Sequence, residues 1–163
     1  MAKVCSDALV VTMYTQSRLE NFRNKGRDTE TAGMSIEEMI QGICSLNAHQ
    51  QLIAAQNANN ILSREPCPCI DAMIATGVVP ILVQFLLYHD NVPLQLEACS
   101  ALAKITSGSF AQRRIVVEAG AVPYFTSLLS SPCANVAEQA AWALRNIAGK
   151  LILSTLKFNY NEL

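Results

Sequence analysis

Trp142 and Asn146 are the residues of this chain whose types and spacing offer the most chemistry. They stand four apart in a stretch running from Asn135 to Gly149. At that spacing on a helix the two side chains lie one above the other on a single face. The chemistry on offer is recognition. An indole packs the aliphatic stem of an incoming side chain, and a carboxamide holds a peptide backbone by donating and accepting at once. The competing reading is a core indole beside a solvated amide, the commoner fate of an aromatic at helical spacing. On the helix alone both readings stay open.

Other reactive groups offer less. The six cysteines, Cys5, Cys44, Cys67, Cys69, Cys99 and Cys133, are scattered. Cys67-Pro-Cys69 lacks the two-residue gap of a redox or zinc pair. They read as free thiols in a reducing compartment. A cysteine nucleophile needs an oriented histidine, and His49 and His89 fall in different helical units. No enzyme, metal site or cofactor is expected.

The composition sets bounds on the partners. The chain has 163 residues, 51% hydrophobic and 15% charged, with a net charge of −1. That describes one ordinary soluble domain, long enough for a core. A near-neutral charge argues against a strong grip on nucleic acid or anionic lipid. Aromatics make up 6%, while Ala, Leu and Ile abound, which favours helices over strands. The apolar run from Ala8 to Tyr14 is interrupted by Thr12 and too short to span a bilayer. With one lysine, Asp7 and no clear cleavage site, it does not read as a signal peptide.

Helices must therefore position the pair. Residues 1–34 are expected to be poorly ordered, because Arg18 to Asp28 is rich in charge and nearly free of apolar side chains. Order begins at Ser35, where Ser35 and Glu38 form a capping box ahead of Ile36, Met39, Ile40 and Ile43. A second helix spans about Asn47 to Arg64, with Ala54, Ala55, Ala58, Ile61 and Leu62 on its apolar side, and Pro66 and Pro68 stop it. Asn57, Asn59 and Asn60 are weak helix formers, so packing has to hold this helix. A short helix from Ile70 to Thr76 ends at Gly77, a left-handed cap. Pro80 opens the next, carrying Ile81, Leu82, Phe85 and Leu86.

Pro93 precedes a longer helix with Ala98, Ala101, Leu102 and Ile105 inward, ending near Gly108. Ser109 to Gln112 is another capping box, followed by Ile115 and Val116, with Gly120 as stop. Pro123 opens a helix with Phe125, Leu128 and Leu129. The last helix is expected from an N-cap at Asn135, boxed with Glu138, to Gly149. Val136, Ala140, Ala143, Leu144 and Ile147 form its apolar face.

A repeat runs through these elements. Gly77-Val78-Val79-Pro80 recurs as Gly120-Ala121-Val122-Pro123, 43 residues on. The run from Ala98 to Ile105 recurs from Ala140 to Ile147, with Ser100 and Trp142 standing 42 apart. A period of roughly 40 to 47 residues, with two or three helices per unit, is the armadillo or HEAT signature. Such units cannot cover their own apolar faces, so they stack into a superhelix with a concave groove. The fold expected is all-α, a truncated armadillo-repeat solenoid with a right-handed superhelix. Its longest helices line the groove, which turns Trp142 and Asn146 toward it. Residues 35–149 hold the repeats, and residues 150–163 form a divergent tail.

At these residues the sequence resembles the importin-alpha family, adaptors that carry proteins with basic import signals into the nucleus. The resemblance covers Arg18 to about Gly149. It is dense in Glu138-Gln139-Ala140, Trp142-Ala143-Leu144 and Asn146 to Gly149, in Gly120 to Pro123, and in Leu62-Ser63-Arg64-Glu65. Arg18-Leu19, Phe22 and Asn24-Lys25-Gly26 resemble the opening of the family's importin-beta-binding segment, so Arg18, Arg23, Lys25 and Arg27 read as its remnant.

The resemblance implies an extended basic peptide bound along the groove. It implies peptide contacts for Trp142, Asn146 and Gln139, for Gly108 beside the principal lysine slot, and for Ser63 toward the first repeat. Partners would be proteins bearing basic nuclear localisation signals, and the chain would work in cytoplasm and nucleus.

The departures weaken that role. Ser100 and Lys104 stand where the family's second repeat has Trp and Asn. Lys150 stands where the third has the aspartate that pairs with the key lysine, and Arg145 replaces a small residue. The basic helix that recruits importin-beta is missing between Asp28 and Ser35, which puts that partner in doubt. Losing an interface tryptophan costs about 2 kcal/mol or more. Exchanging attraction for repulsion costs on the order of 1 to 4 kcal/mol. Together they predict signal binding at least roughly 100-fold weaker. The alternative is a non-receptor interaction module, regulatory or vestigial, that carries no cargo. Leu151, Ile152, Leu153 and Leu156 of the tail would either fold over an apolar end face or drive association.

Overall fold

The computed structural model of the protein describes residues 35–64 and 69–160, with residues 150–160 described by their backbone alone. The readings placed on residues 1–34, on Pro66 and Pro68, and on the tail side chains fall outside the described residues.

Among the described residues eight helices follow one another, with no strand. They are α1 (Ile36–Ile43), α2 (Ala48–Ile61), α3 (Ile70–Ala75), α4 (Val79–Phe85), α5 (Val92–Ser107), α6 (Phe110–Glu118), α7 (Ala121–Leu128) and α8 (Ala134–Tyr160). Local chemistry sets most of the starts and stops. Ser35 Oγ accepts from Glu38 N at 3.1 Å, while Glu38 Oε2 accepts from Ser35 N at 2.8 Å. Ser109 and Gln112 do the same for α6, at 3.3 and 2.8 Å. Each box satisfies donors that the first turn would otherwise leave open. Asn47 caps α2 through Oδ1, which accepts from His49 N and Gln50 N. Gly77 and Gly120 take φ of 78° and 80°, the left-handed region where a side chain strains the backbone.

Two expectations need correction. Asn135 is not the cap of α8: Cys133 O accepts from Val136 N and Ala137 N, so the helix begins ahead of it. The last helix does not stop at Gly149, since its backbone stays helical to Tyr160. No proline intervenes there, and one glycine lowers helix stability by only about 1 kcal/mol. A smaller shift concerns Pro80, Pro93 and Pro123, which lie inside the first turns of α4, α5 and α7. There the missing N–H has no intrahelical partner to lose.

Helices α3, α4 and α5 form one unit, and α6, α7 and α8 repeat it. The pair α1 and α2 precedes them. Long helices pack in succession, α2 on α5 and α5 on α8. Their buried faces are rich in small residues: Ala54, Ala55 and Ala58; Ala98, Ala101 and Ala103; Ala140 and Ala143. Phe85, Leu82, Leu94, Leu102, Ile105 and Phe125 fill the space behind them. Gly42 marks a close approach of α1 to α2, where a Cβ would meet that of Ala54 at 2.7 Å.

Candidate functional site

The three long helices bring a row of polar side chains together. On α8 the buried stripe is Val136, Ala140, Ala143 and Ile147, and Trp142 falls outside it. The indole is accordingly 38% exposed, so the reading of it as core does not hold. One turn on, Asn146 is half-buried over the last turn of α5. Its Nδ2 lies 3.4 Å from both Ala103 O and Thr106 Oγ1. Those are long contacts, and they use the amide's donors while leaving its carbonyl's accepting capacity. Gln139, one turn before Trp142's level, has a buried Oε1 that no described residue donates to. A desolvated acceptor without a donor costs about 1–3 kcal/mol, which an incoming N–H would relieve.

One period earlier the same row reads Ser100 and Lys104. Lys104 reaches back to α2. Its Nζ donates to Ser63 Oγ at 2.6 Å, to Asn59 O at 3.3 Å, and to Asn59 Oδ1. Asn59 Nδ2 in turn donates to Glu97 Oε2 at 2.7 Å, and Ser100 Oγ donates to Asn59 Oδ1 at 3.3 Å. Burial draws the Lys104 ammonium below the usual lysine range, partly opposed by the charge of Glu97. Lys104 and Asn146 are 42 residues apart, and both bond backward to the end of the preceding long helix.

Gly108 ends α5, and its carbonyl accepts from Arg113 Nη1 at 3.1 Å. The same nitrogen donates to Thr106 O at 3.3 Å. Arg113 is only 5% exposed, with no carboxylate on it among the described residues. Its charge instead meets the carbonyl end of α5, where the helix dipole favours a cation. A small cavity of about 70 Å³ opens beside it, lined by Phe110, Arg113, Arg114, Val117 and Ile147.

The residues expected from the sequence thus divide. Trp142, Asn146 and Gln139 share α8. Gly108 and Ser63 mark the ends of α5 and α2, and each already holds a cation of the chain. Arg18, Arg23, Lys25 and Arg27 lie outside the described residues, as does the side chain of Lys150. Arg145 is exposed. Asn59 and Arg113 were missed. Asn59 gave a signal, since a weak helix former in mid-helix invites a search for a partner one repeat on; Arg113 gave none.

Comparison with known proteins sets this geometry in a family. The armadillo/beta-catenin-like repeat matches residues 66–107 and 109–149. Importin subunit alpha-6 of Arabidopsis thaliana is 45% identical over 121 residues, covering 74% of this chain and 22% of that protein. Importin subunit alpha-1b of Oryza sativa subsp. japonica is 47% identical over 111 residues, covering 68% and 21%. A designed armadillo repeat protein in complex with the peptide (KR)4 superposes with a TM-score of 0.62 at 29% identity, covering 70% of this chain and 47% of that one. The chain spans about a fifth of the length of the importin relatives it matches. It belongs to the armadillo/beta-catenin-like repeat family, as an all-helical solenoid segment homologous to importin alpha subunits.

Proposed function

We propose that this chain is an importin-alpha-like adaptor module that binds extended basic peptides of the nuclear localisation type, with weakened affinity, along the row formed by α2, α5 and α8. The observation that carries the reading is the exposed Trp142 indole one turn from Asn146 on the side of α8 that adjoins α5. The indole would take an aliphatic lysine or arginine stem, while Asn146 and the unpartnered Gln139 carbonyl would hold the peptide backbone. Homology to importin alpha subunits and likeness to a designed protein that holds (KR)4 support it. Gly108 and Ser63 would flank the peptide. The role is adaptation between proteins, without catalysis, in cytoplasm and nucleus. Proteins with basic signals would be the partners; importin-beta would depend on residues 1–34, and the loss of their basic helix argues against it.

Trp142 is the only tryptophan, so its fluorescence reports on the site directly. Titration with a lysine-rich signal peptide should change that emission, with an affinity at least roughly 100-fold below a groove with two indole walls and an acidic partner. Equal affinity would refute the weakening, and an unchanged emission at saturating peptide would refute the site. The Lys104 contacts with Asn59 and Ser63 favour a second reading, a protein-interaction module that carries no basic cargo. A pull-down recovering neither importin-beta nor basic cargo would support it.

A further inference from the structure

Two positions in the row hold cations that the chain itself supplies. Around Lys104 Nζ the acceptors are a main-chain carbonyl, a carboxamide oxygen and a hydroxyl, with Glu97 one bond further on. That set would bind an ammonium from any source. It is built from the end of α2, where exposed carbonyls and the helix dipole already favour positive charge. At the equivalent end of α5, the carbonyls of Thr106 and Gly108 are taken by Arg113. Both helix ends are thereby neutralised from within, and the carboxylates beside them each already accept a bond: Glu97 Oε2 from Asn59 Nδ2, and Asp71 Oδ1 from Gln112 Nε2 at 2.6 Å.

We propose that Lys104 and Arg113 are specificity determinants that fill the groove's cation positions at Ser63 and Gly108, so that it selects extended peptides with one basic side chain beside Trp142 over runs of lysine. This rests on the groove reading above and names its ligand class. A second peptide lysine arriving at Ser63 meets an ammonium already bonded there. It must displace three hydrogen bonds or sit beside a like charge, which costs on the order of 1 kcal/mol or more even in high dielectric. A peptide residue with an acceptor, such as Asp, Ser or Asn, meets no such cost at Lys104.

The test compares two peptides of equal length by Trp142 fluorescence, a lysine run and a glycine–serine peptide bearing a single lysine, on the wild type, on Lys104→Gln, on Ser63→Ala and on the double variant. Gln keeps most of the stem and removes the charge, and circular dichroism with a thermal scan checks the fold of each variant. Lys104→Gln should bind the lysine run roughly tenfold more tightly, equivalent to about 1.4 kcal/mol, and the single-lysine peptide within about twofold of wild type. Ser63→Ala should weaken the lysine run in the Lys104→Gln background, where the hydroxyl is open to a peptide ammonium. An equal gain for both peptides, no gain for either, or no loss on Ser63→Ala in the Lys104→Gln background would overturn the assignment while leaving the groove reading in place. Failure of both peptides to alter Trp142 emission in any variant would overturn the two together.

Discussion

Trp142→Ala separates recognition from folding in a single substitution. A tryptophan carries up to roughly 250 Å² of burial, and at 38% exposure about 95 Å² of it remains open to a ligand. At about 25 cal/mol per Å², covering all of that area is worth about 2.4 kcal/mol, and covering half about 1.2 kcal/mol. Truncation should therefore weaken a basic peptide between about sevenfold and about 50-fold. The assay is fluorescence anisotropy of a labelled peptide, since the intrinsic probe is gone.

The same change also removes the packed part of the ring, so a control must fix the cost to folding. Phe125→Ala serves, because Phe125 is fully buried on α7 and its loss should cost about 3–5 kcal/mol. Trp142→Ala should lower the thermal midpoint less than Phe125→Ala while impairing binding more. Affinity within twofold of wild type would refute the placement of the ligand against the indole. A midpoint loss matching that of Phe125→Ala would show Trp142 to be chiefly structural.

Further expectations concern charge and thiols. The combined variant Ser100→Trp, Lys104→Asn, Lys150→Asp should regain roughly 100-fold in lysine-rich peptide affinity, by adding a second wall and reversing one charge; a gain below about threefold in the same titration would show that these positions do not account for the weakening. Burial pushes the Cys99 thiol up to about 12 from an ordinary 9.0, so at pH 8 a thiol reagent should label the exposed Cys69 and spare Cys99 until the chain unfolds. A raised folded pKa means that the unfolded chain loses its proton first. The stability Cys99 lends is thus whole below pH 9.0 and lost between 9.0 and about 12, at about 1.4 kcal/mol per pH unit. Cys99→Val should flatten that part of a midpoint-against-pH curve, and labelling of Cys99 as fast as Cys69 in the native protein would contradict the assignment.

Much of the fold was legible because the signals that set it are local. Both capping boxes and both left-handed glycines sit where their residue types require, and the 42-residue spacing repeated the helix order. Errors came where a local signal had a backbone competitor. Asn135 is a good cap by type, yet the Cys133 carbonyl starts the helix earlier. The exposure of Trp142 followed from the repeat, which sets its helix among the long ones; on the helix alone core and surface both stayed open. The site was not legible for Arg113, whose burial depends on the path of the chain after Gly108. Nor could spacing show that Ser63 and Lys104, 41 positions apart, meet at 2.6 Å.

On the proposed groove reading, that meeting would let the fold persist while the ligand preference changes. Each long helix is met near its C-terminal end by a side chain from one fixed position of the next long helix, joined at α5 by Arg113 of α6. Asn146 does so for α5 with a neutral amide; Lys104 does so for α2 with an ammonium. In structural terms the two exchanges are equivalent, since both satisfy acceptors and tie successive units together. For a ligand they are opposite. The neutral amide keeps a carbonyl free for a passing peptide N–H, whereas the ammonium uses the local acceptors and adds a positive charge that a basic side chain must avoid. On the proposed groove reading, a replacement that stacking tolerates, and even rewards with three hydrogen bonds, would thereby be enough to cost the chain its hold on a run of lysines.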